Sequence, residues 1–145
     1  MNRDRLKNQL IMDEGVVPHA YTDTEGYLTI GCGRLIDRTR GGKLSNDEIE
    51  YLLNNDIDRV AYRLSHEFSW YDDLSDVRQE VFVNMAFNLG IAGLKTFRLM
   101  IAAIERQDWV DAAREGLDSK WSGQVEDRAI RLMQALRTGQ WGADV

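Results

Sequence analysis

One window of this 145-residue chain sets its fold class: between Tyr21 and Ile30 the β-formers Tyr21, Thr22, Tyr27, Thr29 and Ile30 surround the turn-rich Asp23-Thr24-Glu25-Gly26. That pattern predicts a β-hairpin running on into Gly31-Cys32-Gly33. In the flanking segments the apolar residues return at helical spacing. The strands are therefore short and few, and the class is α+β with helix dominant.

Ahead of the hairpin, Leu6, Leu10 and Ile11 place a short helix over residues 3–14, and Gly15 stands where a helix commonly stops. After it, Ser45 and Glu48 have capping-box spacing, with Leu44 and Ile49 at the two positions of a hydrophobic staple. A long helix over about 45–67 follows, carrying Ile49, Leu52, Leu53, Ile57, Val60 and Leu64 as one apolar stripe. Ser75 caps a further helix to about Leu89, apolar enough to be central, and Gly90 ends it. Shorter helices are expected over about 96–105, 108–116 and 124–137. The expected organisation is one domain over residues 1–145. It has a hairpin lobe of about 15–44, a linking helix of about 45–67, and a helical lobe of about 70–145 that includes residues 1–14.

Composition narrows the function. With 43% hydrophobic residues the chain can bury one sizeable core. The formal charge of −6 is evenly divided: residues 1–70 and 71–145 each carry 9 basic and 12 acidic side chains. Neither half is a basic module, and nucleic acid is not an expected partner. Cys32 is the lone cysteine, which excludes an internal disulfide and fits synthesis in a reducing compartment. His19 and His66 lie in different segments without ligand spacing, so neither a metal nor another cofactor is expected. Residues Met1–Lys7 are charged, and no apolar stretch approaches the roughly 18 residues of a membrane span. A soluble monomer with no stable membrane insertion and no export signal of its own is the expectation.

Glycoside hydrolysis commonly needs one carboxylic acid to protonate the leaving oxygen and one carboxylate to activate water or attack the sugar. Glu14, at the end of the first helix, and Asp23, at the hairpin turn, can supply that pair. Two acids nine residues apart mean little among 24 acidic side chains, most of which are solvated surface charges. A longer string changes the reading: Asp13-Glu14-Gly15, then Tyr21-Thr22-Asp23-Thr24-Glu25-Gly26-Tyr27-Leu28-Thr29-Ile30-Gly31-Cys32-Gly33. It resembles the T4-type bacteriophage lysozymes, whose signature is a glutamate ending the first helix, then Tyr-x-Asp, Gly, and Thr-Ile-Gly-x-Gly. Asn84–Gly90, Trp109–Ala113, Asp127–Ala129 and Arg137–Trp141 look like later segments of that family, so the resemblance covers most of the chain.

The resemblance implies a lysozyme-like fold and assigns roles. Glu14 would be the general acid, Asp23 the base that orients the attacking water, and Thr29 a hydroxyl holding that water, with inversion at the anomeric carbon. Arg128 matches an arginine that orients the glutamate, while burial and substrate binding raise the acid's pKa against its pull. Asn84 and Asn88, one turn apart on an apolar helix, either serve the Arg128 network, face the sugar, or are core amides satisfied by backbone. Tyr27, Trp121 and Trp141 offer flat faces to a pyranose. Trp121 and Gln124 are cleft residues by similarity, and Trp70, Trp109 and Trp141 default to packing.

One departure and one further signal stand out. The family commonly has histidine after Gly-x-Gly, and Arg34 stands there, which puts a structural ion pair in question. Arg38, Arg40 and Lys43 form a basic cluster, read as a solvated loop, with contact to an anionic wall polymer as the alternative. The function implied is an endolysin that hydrolyses the β-1,4 bond between N-acetylmuramic acid and N-acetylglucosamine in peptidoglycan. It would accumulate in the host cytoplasm and act on the wall once the membrane is permeabilised. The alternatives are a lytic transglycosylase giving 1,6-anhydro product and a non-catalytic wall-binding module.

Overall fold

The structure, a computed structural model, describes residues 1–143. By their internal contacts the residues fall into two compact units, Met1–Leu52 and the chain from Leu53 onward.

In the first unit α1 (Arg3–Glu14) is capped by Asn2, whose side chain accepts from the Arg5 N–H. It closes at Gly15, where the positive φ of 73° suits a residue without a side chain. Leu6, Leu10 and Ile11 remain exposed. Three antiparallel strands follow in the order β1 (Val17–Thr22), β2 (Leu28–Gly31) and β3 (Arg34–Leu35). Tyr21 lies opposite Thr29 on one side of β2, and Leu35 opposite Thr29 on the other. The hairpin is thus longer than its β-formers suggested and gains a third strand. β1 takes in Pro18 because it is an edge strand whose pairing is irregular between Val17 and Tyr21, where a missing N–H does no harm. A 3₁₀ turn over Arg38–Arg40 is capped by Asp37. Both arms of the expected capping box form, with the Ser45 N–H donating to Glu48 Oε2 (3.0 Å) and the Glu48 N–H to Ser45 Oγ (3.4 Å). They start α2 (Asn46–Glu67), within which the boundary between the units falls. The only buried residue of this unit is Thr29.

The second unit holds the apolar core. α3 (Asp76–Lys95) buries Val81, Phe82, Met85, Ala86, Ile91 and Leu94. The expected stop at Gly90 is a kink, since its φ of 71° breaks the helix before the chain resumes it to Lys95. α4 (Arg98–Glu105), α5 (Trp109–Leu117), α6 (Lys120–Val125) and α7 (Asp127–Thr138) complete the unit. The helix expected from residue 124 begins instead at Asp127, because Glu126 leaves helical geometry with φ 22°. Of the stripe foreseen on α2, Ile49, Leu52, Leu53 and Ile57 stay exposed; only Val60 and Leu64 reach the buried cluster. Fully buried side chains such as Phe82, Leu132 and Leu136 each stabilise by about 1.5–3 kcal/mol. Trp70 packs within that core beside Phe68 and Phe82. Arg78 ties three helices together, donating to the Leu136 carbonyl (2.9 Å) while stacking on Trp109. Among the described residues no single helix is long and apolar enough to cross a membrane; α3 and α4 pass that test only as a pair bent by 96°.

Candidate active site

Glu14 ends α1 with its side chain exposed. Its carboxyl lies against Gly33, in the turn between β2 and β3: a Cβ placed on Gly33 would stand 3.1 Å from Glu14 Oε2 and 3.2 Å from Cδ.

Asp23 follows β1, and its Oδ1 accepts from the N–H groups of Glu25 (2.9 Å) and Tyr27 (2.8 Å). Its own N–H donates to the Tyr27 carbonyl (2.9 Å). One carboxylate oxygen is therefore held by the turn, and Oδ2 has no partner among the described residues. Thr29, 4% exposed, donates its hydroxyl proton to the same Tyr27 carbonyl (3.1 Å). The Tyr27 backbone thus joins the two polar groups. Its ring is covered on one face by the Arg40 guanidinium, 4.5 Å from the centroid, which leaves at most one face for a sugar.

Two further carboxylates hold this region. Asp37 accepts from Thr39 Oγ1 (2.5 Å), the Thr39 N–H (2.9 Å) and the Leu28 N–H (3.3 Å), which lowers its pKa, the Thr39 hydroxyl contributing most. Glu48 receives both terminal nitrogens of Arg34 at 2.6 Å. This pair and the Ser45 N–H hold the Glu48 carboxyl down at about 2. Arg34 thus forms an ion pair of its own, with the capping-box glutamate in the first turn of α2 as the acid.

The remaining candidates lie in the second unit. Arg128 donates through Nε to Asn84 Oδ1 (2.9 Å) and through a terminal nitrogen to the Asn84 carbonyl (3.2 Å). Asn88 accepts from the Trp121 indole N–H (2.8 Å). Both amides serve side chains of other helices, and only Asn84 belongs to the Arg128 network. Trp121 is buried, edge-on to Phe97, and with Gln124 lines a depression of about 400 Å³ bordered by Leu89 and Lys120. Among the described residues no three His, Cys, Asp or Glu side chains gather as a metal site would.

The phage lysozyme family model matches residues 12–137, a span containing every residue named above as acid, base, hydroxyl or support. The chain belongs to the phage lysozyme family. This lysozyme is accordingly a glycoside hydrolase with the α+β fold its hairpin and helices announced. It is 29% identical to "Probable T4-type lysozyme 1" of Dictyostelium discoideum, over 95% of this chain and 96% of that one. It is 27% identical to "Probable T4-type lysozyme 2" of the same organism, over 92% and 94%. It is also 29% identical to the pre-baseplate central spike protein Gp5 of Enterobacteria phage T4, over 92% of this chain but 28% of that longer protein.

Three features of the site went unread in the sequence: the seat at Gly33, the Arg34–Glu48 pair and the Arg40–Tyr27 stack. Gly-x-Gly after a strand was a signal for the first. The other two join residues 14 and 13 positions apart and leave no local trace.

Proposed function

We propose that this lysozyme hydrolyses the β-1,4 bond between N-acetylmuramic acid and N-acetylglucosamine in peptidoglycan, with Glu14 as general acid and Asp23 as general base. Glu14 gives its proton to the glycosidic oxygen as the C1–O bond breaks. Asp23 Oδ2 takes a proton from the water whose oxygen bonds to C1, so one water is consumed per cut. Thr29, its own proton committed to Tyr27, accepts the water's second hydrogen. Glu14 is exposed, so the bound glycan supplies the shielding that a protonated acid requires. A water between the carboxyls requires a separation of roughly 6.5–9.5 Å and gives an inverted anomer.

The observation that carries this reading is the hold on Asp23: two N–H groups fix one oxygen and leave the other to meet water. Arg128, Asn84, Asn88, Tyr27, Trp121 and Gln124 are assigned to support and saccharide contact. The biological role is lysis of a bacterial host by a monomer made in the host cytoplasm, reaching the wall after a separate pore opens the membrane. Glu14→Gln and Asp23→Asn, each shown folded by circular dichroism, should clear permeabilised bacteria at least about 10²-fold more slowly than the parent, in the range of general acid–base contributions. Clearance at the parent rate would end the proposal. Mass spectrometry of the digest should find one added water per cut; 1,6-anhydro ends would assign the reaction to a transglycosylase, and pull-down without new reducing ends to a binding module.

A further inference from the structure

We infer that Gly33 is a positioning residue for the acid: the missing side chain leaves the seat on which the Glu14 carboxyl rests. The inference depends on Glu14 being the acid. A Cβ at Gly33 would lie 3.1, 3.2 and 3.4 Å from Glu14 Oε2, Cδ and Cγ, closer than ordinary van der Waals contact. The turn cannot readily yield. It is paired on both sides, Ile30 opposite Arg34 and Thr29 opposite Leu35, and Arg34 is held by both oxygens of Glu48. The exposed carboxyl must give by a few tenths of an ångström instead, and since about 1 Å at a reacting group costs up to about 10²-fold in rate, that shift costs a few-fold.

Gly31 provides the control. It flanks Cys32 on the other side with φ 68° against 67° at Gly33, so alanine is strained at either position, but nothing stands within 4 Å of a Cβ there. Both substitutions should lower the melting temperature. Gly33→Ala should lower kcat by about 4-fold or more with KM within about two-fold, whereas Gly31→Ala keeps kcat within about two-fold of the parent. Equal kcat in the two variants would overturn the inference. In the parent protein a nuclear Overhauser contact between Glu14 Hγ and Gly33 Hα is expected; its absence would overturn the inference even if Gly33→Ala does not fold. Glu14→Gln run alongside separates the two failures. If it stays active the assignment of the acid is wrong, and if it is dead while the glycine variants match, only the seat is wrong.

Discussion

Glu48 serves two partners with one carboxylate, the Ser45 N–H that opens α2 and the guanidinium of Arg34 on β3. Arg34 presents its nitrogens as a planar fork that a carboxylate matches with both oxygens, a geometry stronger than a single contact. The Glu48 carboxyl is consequently held at about 2 against an ordinary 4.5. A folded-state value below the unfolded one means stability that is complete above about pH 4.5 and is lost as pH falls through about 2. Glu48→Gln should therefore be less stable than the parent at pH 6, and the two urea midpoints should converge toward pH 2. A gap that stays constant with pH would show that the pair adds nothing.

At the scale of elements, α5 packs on α7 at Gly116. A Cβ there would stand 2.2 Å from Sδ and 3.2 Å from Cγ of Met133, a residue only 1% exposed, and 3.4 Å from Sδ of Met100. Alanine improves helix propensity by about 1 kcal/mol, but overpacking a filled core costs about 1–3 kcal/mol. The collision wins, and Gly116→Ala should lower the melting temperature by a few degrees in a circular dichroism melt; a rise would mean that Met133 repacks freely. Elements were legible in the sequence where their signals were local. The Ser45–Glu48 box, the Gly15 stop and the hairpin around Asp23 each lie within a few residues, and each formed. β3 has only two residues, too few for a strand pattern, and the break at Glu126 is marked by neither glycine nor proline. The site divides the same way. The candidates Glu14, Asp23 and Thr29 stood out through two motif segments only five residues apart, while the proposed Gly33 seat and the Arg34–Glu48 pair depend on tertiary neighbours that periodicity does not encode.

Over the whole molecule, apolar burial is one-sided. The buried hydrophobic cluster lies from Leu64 onward, whereas Met1–Leu52 buries only Thr29 and relies on strand pairing, caps and the Arg34–Glu48 pair. Segments with few buried apolar contacts open at low free energy. Native-state hydrogen exchange should therefore find the amides of β1 and β2 exchanging well before those of α3 and α7; uniform protection would contradict it. The proposed base nevertheless sits in the loosely held unit, and the bonds that fix it reach only two and four residues along the chain. A side chain gripped by its own loop travels with that loop, so its aim survives the breathing of everything around it. Accuracy at that oxygen is thus a short-range property, achieved without a rigid scaffold.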